Sequence, residues 1–327
     1  MQRPRRLPHP AAIAAALAML SVTIAHHDVR SQTARSIKFV VPSAPAGVND
    51  ILARLLGEQI SRAQNVTVVI DNRPGAGEVI GTEAAMRAAP DGNTLLFVAN
   101  PFVINPNLRK VNYDPLTSFE PICQLVSAPT LIVVNSASPY RTLSDLLDDA
   151  RKRPGQVTVA SIGPGSPFHL GVEALKRAAK AELTFVPYTG NALAVNALLG
   201  QHVTAMFGTY SNVAQQLKAG TLRALAAGTR SRIEPLPDLP TVAELGFKDY
   251  EVDAWFAVLA PAKTPKETVS QLAQWFTAAM QVPEAKEKLI AQGLYPVAAC
   301  GADFGAHLRR QVNDYGRVIR EANIKGE

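Results

Sequence analysis

Short apolar runs alternate with segments of helical periodicity along most of the chain. In residues 37–41 the apolar side chains are consecutive, as in a strand buried on both faces. In residues 51–60 they recur every three or four positions, as on one face of a helix. Further strands are predicted at residues 66–70, 94–99, 131–134, 157–161, 183–186, 203–207 and 254–260. The alternation predicts an α/β protein with a largely parallel sheet.

Capping signals mark the starts of two of the predicted helices. Thr142 is followed three positions later by Asp145, which is an acidic variant of the capping box. Thr264 precedes Pro265 and Glu267, which predicts a helix with Thr264 as its N-cap and Pro at its first position. The remaining chain is predicted to be helical over residues 284–292 and 303–323.

The length of 327 residues favours two domains, although no linker-like change of composition separates them. We therefore expect a chain that crosses twice between domains, at residues 131–134 and 254–260. This gives a discontinuous α/β domain I, residues 35–132 plus 260–327, and a continuous α/β domain II, residues 133–259. Ligands of open α/β sheets bind beyond the carboxyl ends of the strands, so a cleft between the domains is the expected site.

The first 34 residues have the layout of an export signal. Arg3, Arg5 and Arg6 precede an apolar run over residues 11–25, which is short for a membrane span. We expect residues 1–34 to be a signal peptide and short leader, cleaved near residue 25 or residue 34, and the mature protein to be periplasmic. The alternative is an uncleaved anchor.

Much of the net charge of +6 lies in the predicted signal peptide and would be absent from the mature protein. Residues 1–25 hold three arginines and no acidic residue, so their removal accounts for half of the excess and leaves 30 basic against 27 acidic residues. The remaining basic clusters lie on predicted helix faces without interleaved aromatic residues. We therefore expect no nucleic-acid partner.

The chemistry-bearing residues do not form a recognisable catalytic or metal motif. Two Cys exclude a cysteine-rich metal site, and the six His have no metal-ligand spacing. The run beginning at Gly75 has its third glycine one residue too late for a dinucleotide fingerprint, and no GxSxG is present. We predict no catalytic residue, metal or cofactor. Cys123 and Cys300 would be exported to an oxidising compartment, where the sequence leaves their pairing open.

Gly- and Pro-rich loops recur between a strand end and a helix start, at residues 42–49, 73–77, 163–167 and 188–192. Such loops present backbone N–H groups beside helix N-termini, an arrangement that binds carboxylates. Ordinary α/β turn chemistry would also require them. His169 follows the third loop, where it either lines the cleft or serves only as a helix-start residue.

Together these segments resemble the extracytoplasmic solute receptors of the tripartite tricarboxylate transporter family, often called Bug receptors. The most specific stretch, residues 71–96, reads DNRPGAGEVIGTEAAMRAAPDGNTLL and is similar to the family's NRPGAGG loop and PDGYT segment. Supporting matches are VPSAPAGVND at 41–50, YDPLTSFEPI at 113–122 and LPDLPTVAELG at 236–246. The resemblance covers about residues 36–325.

This resemblance implies a type II periplasmic binding-protein fold, in which two α/β domains are joined by two crossing strands with the ligand cleft between them. It implies no catalysis and no cofactor. It also implies a small organic carboxylate as ligand, a monomeric receptor, and the membrane subunits of a tripartite tricarboxylate-type transporter as partners. The alternatives are a ligand sensor that presents the bound acid to a membrane signalling kinase, a periplasmic enzyme, or a divergent cleft that has lost ligand binding.

Carried over position by position, the resemblance implies ligand-binding residues in both domains. The first domain supplies Ser43, Ala44, Pro45, Ala46, Gly47, Asn49, Gly75, Ala76, Gly77, Glu78 and Asn100. The second supplies Gly163, Gly165, Ser166, His169, Tyr188, Thr189, Gly190 and Thr209.

Three of these positions depart from the family pattern. Ser43 stands where an aromatic residue is usual, and Ala46 and Glu78 each replace a glycine. A carboxylate at Glu78 would repel a dianionic ligand, so we expect a ligand with a donor group opposite its own carboxylate. Alternatively, Glu78 points to solvent and favours the dipole of its helix.

Overall fold

The computed structural model describes residues 35–163 and 166–325. The predicted signal peptide, both cleavage positions and Gly165 lie outside the described residues. Among the residues that are described, no helix is long and apolar enough to cross a membrane.

The strands of the described chain form two mixed sheets. They are β1 (Ser36–Val41), β2 (Thr67–Asn72), β3 (Thr94–Ala99), β4 (Phe119–Ala128), β5 (Thr130–Asn135), β6 (Val157–Ile162), β7 (Leu183–Tyr188), β8 (Ala205–Thr209), β9 (Leu222–Ala227), β10 (Ala254–Pro261) and β11 (Tyr295–Cys300). The first sheet has the order β11-β4-β10-β3-β1-β2, and the second has the order β7-β6-β8-β5-β9.

Helices cover both faces of each sheet. They are α1 (Val48–Gln64), α2 (Val79–Met86), α3 (Pro101–Leu108), α4 (Leu143–Lys152), α5 (Pro167–Ala179), α6 (Asn191–Leu199), α7 (Tyr210–Lys218), α8 (Lys266–Gln281), α9 (Pro283–Ala291) and α10 (Ala302–Glu321). On one face of the first sheet, α1 buries Leu52, Leu56 and Ile60 at intervals of four, while α10 buries Phe304 and Leu308 on the other.

The expectation of largely parallel sheets is only partly met. β1, β2 and β3 pair in parallel, as do β6, β7 and β8. β10 is antiparallel to both of its neighbours, β3 and β4, and β5 is antiparallel to both of its neighbours, β8 and β9, while β11 pairs antiparallel with β4. The crossings explain β5 and β10, because each enters its sheet from the other one at the edge where the parallel strands end and therefore runs in the opposite direction.

The change of sheet defines where the chain crosses. β4 ends at Ala128 in the first sheet and β5 begins at Thr130 in the second, so Pro129 alone makes the first crossing. The second crossing runs from the end of β9 to the start of β10, over residues 228–253. β10 pairs with β3 and β4, whereas the predicted boundary at residue 259 placed most of it in domain II. The division of the chain into domains otherwise stays a prediction.

The capping expectations had different outcomes. Thr142 and Asp145 form a reciprocal capping box at the start of α4. The predicted cap at Thr264 is wrong, because α8 begins at Lys266 and the Thr264 hydroxyl donates to the Pro261 carbonyl instead. A local hydrogen bond to the preceding strand competes with capping here.

Cys123 and Cys300 form a disulfide between paired positions of β4 and β11. β11 is an edge strand of the first sheet, and its pairing with β4 is interrupted by a register shift between Pro296 and Ala299. The disulfide joins residues that are 177 positions apart and so fixes this irregular edge strand to the sheet.

Candidate functional site

The predicted loops lie at the facing edges of the two sheets. Parallel strands end at a common edge, so the segments that follow β1, β2 and β3 share one edge, and those that follow β6, β7 and β8 share another. The first crossing joins these two edges, because Ala128 pairs with Ala254 at the end of the first sheet and Thr130 pairs with Thr209 at the end of the second. We refer to each sheet with its helices as a lobe. The loops therefore lie along the facing edges of the two lobes, which is the position expected for a ligand cleft.

The loop after β1 is held by two polar side chains that the sequence did not single out as a pair. Asn72, at the end of β2, donates to the Ser43 carbonyl at 3.2 Å and to Asp50 Oδ1 at 3.0 Å. Asp50 Oδ2 accepts from the Ala46 amide at 2.9 Å. Arg54 beside it holds the pKa of the Asp50 carboxyl below its usual value. This ion-paired carboxylate fixes the left-handed backbone of Ala46, whose φ is 66°.

Two polar atoms beside the same loop have no partner among the described residues. Ser43 Oγ and Asn49 Oδ1 are both shielded from solvent and make no hydrogen bond within the described chain. Nor does a side chain cap α1, because its N-cap is Gly47. Buried polar groups are nearly always satisfied, so these atoms mark a place where a ligand or water completes the bonding.

The loop after β2 has an unusual run of left-handed residues. Gly75, Ala76, Gly77 and Glu78 have φ values of 131°, 47°, 61° and 80°. Side chains of α3 fix their carbonyls, with Asn105 Nδ2 2.7 Å from the Gly77 oxygen. Two of the four residues carry side chains in a conformation that favours glycine, so tertiary contacts hold the loop in place.

A second contact, from the residue that follows α3, completes this support. Arg109 reaches back so that its Nη1 lies 3.3 Å from the Ala76 oxygen. These two side chains bond the carbonyls of Ala76 and Gly77, and residues 75–77 are exposed to solvent. Sequence reasoning missed Asn105 and Arg109; the available signal was that both lie in the segment immediately after the third strand.

Glu78 does not point to solvent, so that interpretation is wrong. Although part of the residue is exposed, its carboxyl group accepts from the Ala99 amide at the end of β3, and Oε2 is shielded and has no hydrogen-bond partner among the described residues. Burial raises the pKa of Glu78 to about 8. The group is therefore mainly protonated at pH 7, which weakens the repulsion of a dianionic ligand that the sequence suggested.

Asn100 follows β3, but the polar atoms of its side chain are hydrogen-bonded within the protein. Nδ2 donates at 3.0 Å both to the Asp253 carbonyl and to the Tyr315 hydroxyl, and Oδ1 accepts from the Trp255 amide at 3.2 Å. Only 2% of the residue is exposed. Asn100 thus ties the end of β3 to the second crossing and to α10, and a ligand contact by this side chain is left as a prediction.

In the second lobe the loop after β6 is organised by Ser166. Its hydroxyl donates to the Ile162 carbonyl at 2.5 Å and accepts from the His169 amide at 3.2 Å, which makes it the N-cap of α5. Gly163 has a φ of 60° that allows the turn. The ring of His169 stacks on Phe185 at 4.2 Å, and burial lowers the pKa of the imidazole, so it is uncharged at neutral pH.

The other second-lobe positions lie at two further helix starts. Tyr188 and exposed Thr189 lead to Gly190, the N-cap of α6, which has no side-chain cap. Thr209 precedes α7, and its hydroxyl oxygen accepts from Asn212 Nδ2 at 2.7 Å. The structure therefore places the described second-lobe residues at the edge facing the first lobe, while their contact with a ligand stays a prediction.

A cavity of about 610 Å³ lies away from these loops, between α5, α10 and residues 246–252. Its lining includes Arg177 and Glu321, which form an ion pair between the two helices. The described residues contain no group of three or more His, Cys, Asp or Glu placed to hold a metal ion.

Comparison with known proteins finds one matching family, described as the tripartite tricarboxylate transporter family receptor, over residues 52–324. Protein BugT of Bordetella pertussis is 32% identical over 295 residues, which is 89% of this chain and 90% of the relative.

Solved structures of similar proteins agree with the fold. A TctC solute binding protein from Polaromonas, without ligand, has a TM-score of 0.81 at 26% identity and spans 88% of this chain and 99% of its own. A protein from R. palustris with adipate has a TM-score of 0.69 at 31% identity, covering 90% of this chain and 99% of its own.

Proposed function

Because this chain belongs to the tripartite tricarboxylate transporter receptor family, we propose that it captures a small organic carboxylate between its lobes and delivers it to the membrane subunits of a tripartite tricarboxylate-type transporter. The family is one of solute-binding receptors and not of enzymes. Relatives are periplasmic binding proteins. We propose that this chain is exported to the same compartment by a cleaved N-terminal signal peptide and acts there as a monomer.

The observation that carries the proposal is the unpartnered hydroxyl of Ser43 beside the first loop. Ser43 Oγ lies at a helix start with no side-chain cap, at the carboxyl end of β1. Asn49 Oδ1 beside it is an acceptor, so it would bind a water or a donor group of the ligand rather than its carboxylate. A ligand carboxylate accepts hydrogen bonds from a hydroxyl and from free helix N–H groups, and the helix dipole favours its charge. The exposed backbone of residues 75–77 offers further amides across the same edge.

The second lobe contributes matching groups. The α6 helix starts at Gly190 without a side-chain cap, so its first N–H groups are available to an acceptor on the ligand. Uncharged polar donors from both lobes would hold a carboxylate without a buried counter-charge, which avoids the desolvation cost of an unpaired ion in the free receptor.

Calorimetric titration of the mature chain with adipate and malate tests ligand capture. A ligand at a hundred times its dissociation constant should stabilise the chain by about 2.7 kcal/mol, which raises the melting temperature by a few degrees. Ser43→Ala should weaken binding about tenfold to a hundredfold, as expected for loss of one hydrogen bond to a charged group, which contributes about 1.5–3 kcal/mol.

The matched control is Ser138→Ala. Ser138 Oγ is also shielded and unpartnered among the described residues, but it lies in the turn after β5, at the opposite edge of its sheet. Equal weakening by both variants, or no binding of any mono-, di- or tricarboxylate by a folded chain, would contradict the proposal. Delivery is tested separately, by whether the liganded chain co-purifies with the transporter's membrane subunits more strongly than the unliganded chain.

A further inference from the structure

A second cavity, of about 520 Å³, lies on the other side of the crossings from the predicted ligand loops. Its lining comes from β11, the first half of α10, residues 229–234 and the second crossing. β11 and β9 are edge strands at the ends of their sheets opposite to β2 and β7. The cavity is therefore separate from the cleft bordered by the loops after β2 and β7.

Two buried acceptors in this lining lack hydrogen-bond partners within the described chain. Asp253 accepts from the Ser127 hydroxyl through Oδ2 at 2.6 Å, but its Oδ1 has no partner. His307 Nε2 is also unpartnered, and the two residues are only 8% and 5% exposed. Each unsatisfied buried atom costs about 1–3 kcal/mol, so two in one cavity call for a group that donates to them.

The surroundings of His307 determine its protonation state and which ring nitrogen can accept a hydrogen bond. Its Nδ1 lies 3.8 Å from Glu251 Oε1, and burial lowers the pKa of the imidazole to about 4. We assign its one proton to Nδ1, the nitrogen that faces the Glu251 carboxylate, and the neutral ring then presents Nε2 as an acceptor. Burial raises the pKa of Asp253 to about 6, so this carboxyl is ionised at pH 7.5. The pair accepts hydrogen bonds and carries one negative charge.

Cationic groups lie around these acceptors. Arg310 lines the cavity one turn along α10 from His307 and has no ion-pair partner among the described residues. Arg230 also lines it, but bonds Glu251 at 3.3 Å, and Arg232 is paired with Glu244. Asp303 and Glu234 add acidic groups to the lining. Arg310 forms no ion pair within 4 Å in the described chain, although its charge acts on Asp314 and on His307, so it is the lining cation most available to a ligand.

We propose that this cavity is a second binding site, for a small zwitterion that carries both an ammonium group and a carboxylate. The ammonium donates to Asp253 Oδ1 and His307 Nε2, and the carboxylate pairs with Arg310. Each end of such a ligand lies beside a group of opposite charge. A simple cation would be repelled by Arg310, and a simple anion would be repelled by Asp253. The volume lies within the range of sites for small molecules.

The test follows the imidazole of His307 by ¹H–¹⁵N NMR in the mature chain at pH 7.5, with glycine as the zwitterionic probe. The signal is assigned by its loss in His307→Phe. Glycine should shift it saturably, whereas ethylamine and acetate, which each carry one of the two charges, should bind at least about tenfold more weakly. Ethylamine or acetate binding as well as glycine would overturn the proposal.

Variants locate the binding. Asp253→Asn and Arg310→Gln should each weaken glycine at least about tenfold. Arg309→Gln is the matched control, because Arg309 is the exposed neighbour on the same helix and does not line the cavity, and it should leave the affinity unchanged. No saturable shift, or a shift that Arg310→Gln leaves intact, would overturn the proposal, the latter by assigning the effect to the cleft.

Discussion

The buried carboxyl of Glu78 makes the stability of the protein depend on pH in a direction opposite to that of most acidic residues. Its folded pKa, about 8, lies above the ordinary value of 4.5 because burial disfavours the charged form. Between these values the folded chain holds a proton that the unfolded chain has released. The contribution to stability is therefore fully present below pH 4.5 and is lost as the pH rises through 8.

The folded and unfolded pKa values of Glu78 determine how much unfolding free energy its ionisation removes. Their difference corresponds to roughly 5 kcal/mol of unfolding free energy, at about 1.4 kcal/mol for each pH unit. About 3 kcal/mol of this falls between pH 5.5 and 8.5. Other buried groups also titrate in the protein, among them Asp253, whose pKa burial raises to about 6. A comparison with Glu78→Gln isolates the contribution of Glu78, since the amide keeps the shape and cannot ionise.

Urea unfolding of the wild type and of Glu78→Gln at a series of pH values measures the contribution of Glu78 to the unfolding free energy. The wild-type chain should lose about 3 kcal/mol relative to Glu78→Gln between pH 5.5 and 8.5. Glu182→Gln, which changes an exposed carboxylate, should follow the wild-type profile. Parallel profiles for the wild type and Glu78→Gln would refute the assignment of a buried, protonated carboxyl.

Two further stability predictions concern glycine packing and the disulfide. A Cβ at Gly81 would lie 2.7 Å from Pro42 Cβ and 2.8 Å from the Arg73 carbonyl oxygen, so Gly81→Ala should lose about 1–3 kcal/mol despite the better helix propensity of Ala. Gly190→Ala, with nothing within 4 Å of its Cβ, should change urea-unfolding stability little. Reduction of the disulfide between Cys123 and Cys300 should lower the unfolding free energy by about 2–5 kcal/mol, and an unchanged melting temperature in dithiothreitol would contradict this.

The sequence predicted β1, β2, β3, β5, β6, β7, β8 and β10, because each of these apolar runs lies within a sheet, but β4, β9, β11 and the helix α3 were not predicted. The directions of β5 and β10, which oppose both of their neighbours, could not be predicted in the same way. Whether a strand is parallel depends on the edge at which the chain enters the sheet, and that is set by crossings of one residue at Pro129 and of many residues in 228–253. Apolar patterning carries no information on strand direction.

The candidate site was predicted unevenly for a related reason. Glycine and proline mark the loops, since positive φ values such as that of Gly75 restrict the residue type. The side chains of Glu78 and Asn100 depend on contacts with Ala99 and Asp253, which are distant in the sequence or lie on another element. The same applies to Asn72, whose bonds to the first loop bridge 29 positions.

A hydrogen-bonded cluster at the two crossings lies between the cleft and the second cavity. Thr130, Gly228 and Val252 bond one another across the two crossings: the Gly228 amide donates to the Thr130 carbonyl, and the Val252 amide to the Gly228 carbonyl, each at 2.8 Å. The Thr130 hydroxyl also donates to the Val252 carbonyl. A Cβ at Gly228 would meet Thr130 Oγ1 at 2.3 Å, so only glycine allows this approach.

This cluster joins the sheets where the chain passes between them, and it lies between the two sides of the molecule. The loops after β2 and β7 are on one side and the cavity beside β11 and β9 is on the other. We expect a rotation of one lobe against the other about this cluster to move the two sides in opposite senses. On that expectation, glycine bound in the cavity beside Asp253 should change the affinity of the cleft for a carboxylate, and an unchanged affinity in calorimetric titration would contradict the coupling.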